Sequence, residues 1–434
     1  MMNNTSLIIN SSKELIGDIM IPGDKSITHR AIILGSLCSG KVIISNGLFS
    51  EDCLKTISCF KQMGVEIKTN DCSIEIFGKG LRSLRAPKEI LDTGNSGTLA
   101  RLLSGILSCQ NFDSSINGDE SLNSRPMKRI IDPLTSLGAI IKSKDYKLPI
   151  SFKASNSLIP IAYKSPIPSA QIKSCLLLAA LFIDGESVIS EETKTRDHTE
   201  RLLKYLGYPF EVNDKAIVIR GNGSLSARAI DIPSDISSAA FFIVAALITQ
   251  GSDILLTNIG TNPLRTGIID VLIAMGADIK LIKNRLIGDE PVSDIRIKYS
   301  RLNSINISGK IISRLIDELP ILFIACAICD GTSTINDIKE LRYKESDRIL
   351  SMETGLKKLG IDVTSTENSI SIIGGSISGG IIDSFGDHRV AMSFLIAGLV
   401  SKKPITVRNT ENINTSFPTF IDILREQNID IYKI

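Results

Sequence analysis

The chain has 434 residues, 43% of them hydrophobic and 22% charged. That composition belongs to an ordinary globular protein and excludes a disordered chain, a collagen or a small disulfide-stapled scaffold. Its 49 Lys and Arg against 47 Asp and Glu leave a formal +2, so no global charge argues for nucleic acid or a membrane surface.

The first residues, Met1-Met2-Asn3-Asn4-Thr5, show no basic region followed by an apolar core, so no secretory signal is expected. One pattern then recurs along the chain. A turn rich in Gly, Pro or Asp opens a small-residue apolar helix, a Val/Ile-rich strand follows, then a more polar helix, and alternating strands close the unit. The first unit opens at Pro22-Gly23-Asp24-Lys25-Ser26, with its apolar helix at Ala31–Leu37, its strand at Val42–Ile44 and a helix end at Met63-Gly64. Glycine just past a helix end takes the left-handed conformation cheaply. The second opens at Asp92-Thr93-Gly94-Asn95-Ser96-Gly97-Thr98, continues through Leu99–Leu107 and Ser114–Ile116, and turns at Ser124-Arg125-Pro126-Met127 towards Leu137-Gly138. The third opens at Ser165-Pro166-Ile167-Pro168-Ser169-Ala170-Gln171, with Cys175–Phe182 and Ser187–Ile189. Its polar helix starts at Thr195-Arg196-Asp197-His198-Thr199 and ends at Leu206-Gly207.

The fourth unit opens at Ile232-Pro233-Ser234-Asp235 and places a helix at Ala239–Ile248, a strand at Asp253–Leu256 and a helix end at Met275-Gly276. The fifth opens at Ile316-Asp317-Glu318-Leu319-Pro320, with Ile321–Ile328 and Ser333–Ile335, and its polar helix ends at Leu359-Gly360. Within its segment Arg342-Tyr343-Lys344-Glu345-Ser346-Asp347-Arg348, the four-residue spacing puts Lys344 and Arg348 on one helix face. Gly374-Gly375 and Gly379-Gly380 read as hairpin turns. The sixth opens at Phe385-Gly386-Asp387-His388-Arg389, with Val390–Val400 and Pro404–Val407, and is cut short by the C-terminus. The chain thus reads as an α/β (α+β) protein of six βαβαββ-like units, three per half. Residues 21–233 form one domain, and residues 1–20 join 234–434 in the other.

The longest apolar runs, Cys175–Ile183 and Ala239–Ile248, fall far short of the ~20 residues that span a bilayer. Eight cysteines, at 38, 53, 59, 72, 109, 175, 326 and 329, are scattered among apolar neighbours, as reduced buried thiols of a cytoplasmic protein would be. Cys326-Ala327-Ile328-Cys329 reads as core packing. Signatures for ATP and dinucleotide sites are missing, three histidines form no HExxH, and no Trp with 5% aromatics leaves few platforms for single-stranded nucleic acid.

What remains is the crowd of polar and charged residues at the helix openings. A helix N-terminus offers unpaired N–H groups and partial positive charge, so it suits anions. Ser, Asn and Asp there are also ordinary caps. Capping does not explain Lys25, Arg30, Arg101 and Arg389, which crowd positive charge where the dipole disfavours it. An anionic ligand would supply the compensation.

Taken together, Gly23-Asp24-Lys25-Ser26-Ile27-Thr28-His29-Arg30, Gly94-Asn95-Ser96-Gly97-Thr98-Leu99-Ala100-Arg101, Leu341–Arg348 and Gly386-Asp387-His388-Arg389 resemble the 5-enolpyruvylshikimate-3-phosphate (EPSP) synthase family, over essentially the whole chain and in the right order. The resemblance implies two similar domains, each three βαβαββ units in pseudo-threefold arrangement, joined by two crossovers, with the active site in the cleft between them. It implies an enzyme that moves enolpyruvate from phosphoenolpyruvate to the 5-hydroxyl of shikimate 3-phosphate by addition and elimination, releasing phosphate. Neither metal nor organic cofactor is implied, and no nucleic-acid or membrane partner. The protein would be a cytoplasmic monomer working towards chorismate and the aromatic amino acids.

Carried over by motif, Lys25, Ser26 and Arg30 line the site, with Lys25 close to both substrates. Gly97 and Arg125 border the phosphoenolpyruvate pocket, and Arg348 and Arg389 grip its carboxylate and phosphate. Ser169, Ala170 and Gln171 match the shikimate 3-phosphate segment, Gln171 touching both ligands. Asp317 matches the carboxylate that takes the 5-hydroxyl proton. Lys344 contacts the acceptor phosphate or the reacting centre, and Glu345 is the candidate proton donor. Three departures resemble a divergent, class II-like branch that includes glyphosate-tolerant enzymes. Ala170 replaces a serine, Thr195-Arg196-Asp197-His198-Thr199 replaces a serine/tyrosine segment so that Arg196 takes over phosphate binding, and Thr415-Ser416-Phe417-Pro418 lacks a preceding lysine. The alternatives are the sister transferase acting on UDP-N-acetylglucosamine, for which no cysteine in an exposed Gly/Arg-rich loop is found, and a non-catalytic anion-binding module.

Overall fold

The computed structural model describes residues 5–70, 73–155 and 157–434. Met1–Asn4, which carried most of the signal-peptide reading, and Cys72 lie outside them.

Alternating β-branched residues build the sheets. In Ser39–Ser45 the buried positions are Val42 and Ile44, two apart, as a strand with one covered face requires. Among the described residues six four-stranded sheets share one strand order. In the second repeat, Leu91–Asp92 runs parallel to Ser114–Asn117, while Lys147–Phe152 and then Ile141–Lys144 add antiparallel strands. A parallel pair needs a crossover, and the apolar helix Gly97–Leu107 supplies it.

The sixth repeat is not cut short. Gly380–Asp383 leads Ile405–Arg408, the chain's own beginning, Ser6–Ile9, adds the third strand, and Ile431–Lys433 the fourth. The strand Ile16–Ile19 leads the fourth repeat, parallel to Asp253–Gly260. Ile230–Asp231 leads Ser39–Ser45 in the first. The glycine pairs near 375 and 380 are not hairpin turns either, because Ser369–Ile373 and Gly380–Asp383 belong to different sheets. Gly374 is needed for a close approach: a Cβ there would lie 1.7 Å from the Cys329 carbonyl oxygen.

Two units emerge. One comprises residues up to Pro22, Pro233–Arg285 and Pro291–Ile434; the other comprises Gly23–Ile232 with Leu286–Glu290. That last segment, from the strands Asp278–Ile287 and Glu290–Lys298, falls outside the sequence-based boundaries of the N-terminal domain. In the Gly23–Ile232 unit, the helices Lys25–Leu37, Gly97–Leu107 and Ala170–Ala180 bury Ile32, Leu103 and Leu177 in one core. Gly105 lets two of them touch, since a Cβ would come 2.2 Å from the Cys175 carbonyl. In the other unit, Ile236–Ile248, Leu319–Ile328 and His388–Gly398 bury Phe242, Phe323 and Phe394. Helices buried this completely are apolar on nearly every face.

The seven described cysteines are free and buried. Burial pushes the Cys53, Cys59 and Cys326 thiols up to about 12, which makes them packing groups rather than nucleophiles. Among the described residues no helix is long and apolar enough to cross a membrane.

Candidate active site

The apolar helices begin two to six residues before their hydrophobic runs, and in all but Leu319–Ile328 a polar side chain caps the start. Asp24 accepts from Ile27 N–H, Ser96 from Leu99, Ser169 from Ile172, Asp235 from Ser237, and Asp387 from Arg389 and Val390. These caps satisfy orphan donors at the helix starts. They also fix where the flanking side chains emerge.

In the Gly23–Ile232 unit three of these starts gather one group of residues. Lys25 Nζ donates to Asp52 Oδ2 at 3.2 Å, so the lysine at this first turn has a carboxylate partner within its own unit. Behind it His29 is fully buried, with Nδ1 2.6 Å from Thr56 Oγ1 and Nε2 3.4 Å from the Ser96 hydroxyl. Burial, reinforced by Lys25 and Arg30, pulls its pKa down to about 3. His29 is therefore a neutral spacer between helix starts.

Arg30 and Arg101 lie in second turns and reach back, Arg30 Nη1 to Ser26 O and Arg101 Nη1 to Gly97 O. Arg30 also donates to Thr199 Oγ1 and Ser174 Oγ, both at 2.8 Å, tying three helix starts together. Arg101 Nη1 donates to Gln171 Oε1 at 2.9 Å, and Gln171 Nε2 donates to Thr98 Oγ1. Arg125 is buried and donates to Asn95 Oδ1 at 2.9 Å and to Ser121 Oγ. A Cβ on Gly97 would lie 2.6 Å from Arg101 Nη1 and 3.5 Å from Arg125 Nη1. Gly97, Arg125 and Gln171 are thus gathered around Arg101. Ser169 caps the helix that carries Ala170 and Gln171, and half-buried Arg196 stands in the irregular stretch before His198–Tyr205.

In the other unit the residues converge on Asp317. Lys344 Nζ lies 3.1 Å from Asp317 Oδ1, Arg348 Nη1 lies 3.9 Å from the same oxygen, and Arg389 Nη1 donates to the Asp317 carbonyl at 2.8 Å. Lys344 and Arg348 do not share a helix face. Lys344 ends the 3₁₀ turn Lys339–Tyr343 in extended conformation, and the helix begins only at Arg348, capped by Asp347. They meet because the chain folds back between them. Arg348 is 1% exposed, with Nε on Asp387 Oδ2 at 2.8 Å and Nη2 on Glu345 Oε2 at 2.6 Å. Burial alone would lower its pKa, but Asp387 and Glu345 outweigh this and raise it. Asp387 is correspondingly held low, the Arg348 charge overcoming desolvation. Arg348 Nη1 has no hydrogen-bond partner among the described residues.

Sequence reasoning did not place Asp52, Thr199, Ser174 or Asp387 among the site residues. Asp387 carried a signal, a cap residue beside Arg389; the others are brought in by packing alone. Among the described residues no three His, Cys, Asp or Glu gather as a metal site.

A family model described as EPSP synthase (3-phosphoshikimate 1-carboxyvinyltransferase) matches residues 9–424. The 3-phosphoshikimate 1-carboxyvinyltransferase of Legionella pneumophila strain Philadelphia 1 is 49% identical over 408 residues, covering 94% of each chain. That of Methylococcus capsulatus is 47% identical over 417 residues, 96% of this chain and 95% of its own. A solved EPSP synthase from Acinetobacter baumannii superposes with a TM-score of 0.89 at 43% identity, covering 99% of this chain and all of that one. The class II-like placement finds no support in these likenesses, which speak for the family as a whole. With its repeats, its paired units and its helix starts all accounted for, the chain belongs to the EPSP synthase (3-phosphoshikimate 1-carboxyvinyltransferase) family.

Proposed function

We propose that the two residue clusters divide the work of one reaction. The enolpyruvyl group of phosphoenolpyruvate moves to the 5-hydroxyl of shikimate 3-phosphate, and inorganic phosphate leaves. Both substrates carry a phosphate and a carboxylate, so cations must offset their mutual repulsion. Arginine suits such planar or bidentate anions better than lysine. Shikimate 3-phosphate takes Lys25, Ser26, Arg30, Ser169, Ala170, Gln171 and Arg196, with Asp317 and Lys344 from the other unit. Phosphoenolpyruvate takes Lys25, Gly97, Arg125, Gln171, Arg348 and Arg389.

Asp317 removes the 5-hydroxyl proton as the oxygen attacks C2, and C3 receives a proton from Glu345. The tetrahedral intermediate then loses phosphate from C2 and a proton from C3, and the enol ether forms. Lys25, placed near both substrates, balances charge at the reacting centre. The observation that most supports this reading is the convergence on Asp317. One carboxylate has Lys344 and the open Nη1 of Arg348 within 4 Å, while Arg389 holds its backbone. An incoming carboxylate on Arg348 would compete with Glu345 for the same guanidinium.

No metal or organic cofactor enters this scheme. The protein acts as a cytoplasmic monomer without nucleic-acid or membrane partners; its balanced charge supports the last two points. The test is phosphate release measured with phosphoenolpyruvate plus shikimate 3-phosphate, with each alone, and with UDP-N-acetylglucosamine as acceptor. Release that needs shikimate 3-phosphate supports the assignment; release with the nucleotide sugar would transfer it to the sister activity.

A further inference from the structure

Arg196 poses a positioning problem. It is expected to take a phosphate, yet it sits in an irregular stretch between Glu186–Glu191 and His198–Tyr205. No helix or strand ladder fixes its backbone, and ligand-binding groups on loops are held less accurately than those on regular elements. Something else must hold the chain there.

The neighbouring residue is held at three points. Glu191 Oε1 accepts from the Thr195 N–H at 2.9 Å, and Glu191 Oε2 accepts from the Thr195 hydroxyl at 2.6 Å. The Thr195 carbonyl accepts from Lys173 Nζ at 3.1 Å. Lys173 is 4% exposed and pairs with Glu191 at 2.8 Å and with Glu200 at 2.7 Å. On the other side of Arg196, Arg201 Nε donates to Asp197 Oδ1 at 2.8 Å, and His198 Nδ1 lies 2.6 Å from Glu290 Oε1. All these groups belong to one unit.

Stability does not account for such a cluster. Burying a lysine with two carboxylates is expensive, and well-packed apolar residues of similar volume would serve the fold as well or better. Burial pushes the Glu200 carboxyl up, and its Oε2 has no hydrogen-bond partner among the described residues. What the arrangement does supply is direction. A threonine gripped by its N–H, its hydroxyl and its carbonyl fixes the peptide plane from which Arg196 departs.

We propose that the buried Lys173–Glu191–Glu200 cluster, acting through Thr195, is the positioning device that aims Arg196 at the phosphate of shikimate 3-phosphate. Lys173, Glu191 and Thr195 are positioning residues here, not groups that touch the ligand. The proposal rests on the assignment of Arg196 to that phosphate.

The test uses steady-state kinetics of the whole enzyme with Thr195→Val, Thr195→Ser, Arg196→Ala and the double variant Thr195→Val/Arg196→Ala. Lys173 itself is left intact, because removing it would strand two buried carboxylates. Arg196→Ala should raise KM for shikimate 3-phosphate about tenfold or more, and Thr195→Val by about three- to tenfold. For Thr195→Val, kcat and KM for phosphoenolpyruvate should stay within about twofold, and Thr195→Ser, which keeps the hydroxyl, should restore the wild-type KM. In the double variant the Thr195→Val effect should vanish, because its route is gone. An unmoved KM in Thr195→Val beside a raised one in Arg196→Ala overturns the positioning role alone. So does an effect that persists undiminished in the double variant. An unmoved KM in Arg196→Ala overturns the phosphate assignment beneath it.

Discussion

Gly97→Ala separates the room a ligand needs from the freedom a backbone needs. Gly97 begins the helix Gly97–Leu107, and its φ is not positive, so alanine meets no backbone strain there. Alanine is up to about 1 kcal/mol the better helix former, a gain that offsets part of any loss in the contacts around it. The new methyl instead meets Arg101 Nη1 at 2.6 Å and touches Arg125 Nη1 at 3.5 Å. The Arg101 guanidinium, the far end of a flexible side chain, must move, and its bond to Gln171 Oε1 at 2.9 Å is then stretched or lost. A hydrogen bond to a charged group contributes about 1.5–3 kcal/mol, and a flexible arginine regains part of that by re-bonding. With Gly97 in its proposed place beside the phosphoenolpyruvate pocket, that part of the loss would fall on both ligands of the pocket, because it acts through the wall. Glyphosate, which the family resemblance places in the donor pocket and which is longer than phosphoenolpyruvate, should lose more. We expect competitive inhibition of the wild type against phosphoenolpyruvate. In Gly97→Ala, KM for phosphoenolpyruvate should rise a few-fold, and Ki for glyphosate should rise at least about tenfold further, a difference of ~1.4 kcal/mol. Measuring Ki, KM and Tm on both forms decides it. Equal losses for the two ligands would refute the space argument and leave the displaced guanidinium as the whole effect. A fall in Tm would report the weakened Arg101–Gln171 bond, since Gly97 has no positive φ for alanine to strain.

Asp317→Asn keeps the shape but removes the base, so kcat should fall by ~10²–10⁴ while calorimetry still detects shikimate 3-phosphate binding; near-normal turnover would remove Asp317 from that role. Asp387→Ala takes one of two hydrogen-bonded carboxylates from the buried Arg348 and removes a helix cap; it should cost up to about 3–5 kcal/mol of stability, read as a lower urea midpoint, and an unchanged midpoint would mean that Glu345 alone compensates the guanidinium. His29 binds its proton more readily unfolded, at 6.5, than folded, at about 3. Its stabilising contribution is therefore present above pH 6.5 and lost as pH falls towards 3, with a slope of up to about 1.4 kcal/mol per pH unit. In His29→Gln, urea unfolding between pH 4 and 7 should show a shallower slope than wild type, and identical slopes would show that His29 is not the group responsible. Chelators should leave wild-type activity intact, and activity lost to a chelator and restored by a metal would contradict the cofactor-free scheme.

The repeats were legible because their signals are local. Val42 and Ile44 alternate within seven residues, and Gly64 or Gly207 marks a helix end that needs a positive φ. The apolar helices were legible from hydrophobicity alone, but their starts were not, since Lys25, Ala170 and His388 precede the apolar run and depend on caps such as Asp24, Ser169 and Asp387. The completion of the sixth sheet by Ser6–Ile9 was invisible because that pairing joins residues some four hundred positions apart. The spacing of Lys344 and Arg348 misled for a related reason. Four residues mean one face only if a helix runs through them, and here it starts at the second of the pair.

Buried compensation changes what the helix-start cations mean. From sequence, positive charge beside a helix N-terminus calls for an anionic ligand. The structure supplies carboxylates within each unit: Asp52 for Lys25, Asp317 for Lys344, and Asp387 with Glu345 for Arg348. The same logic operates where no substrate role is assigned, since buried Arg265 donates to Ser237 Oγ at 2.6 Å and lies 3.4 Å from Asp235 at another helix start. For Lys25 and Arg348, tolerance of the charge in the free protein therefore does not require the ligand. Under the proposed assignments, a substrate anion would instead compete with a carboxylate already in place. For Lys344 that carboxylate is the proposed base, so drawing the lysine towards a substrate phosphate uncovers Asp317 for the hydroxyl. For Arg348 it is the proposed acid, so a substrate carboxylate on the guanidinium uncovers Glu345. Under these assignments, binding and the readiness of the acid and base become one exchange of partners for Lys344 and Arg348, whereas Arg30, Arg101 and Arg389 are held by hydroxyl, amide and carbonyl oxygens.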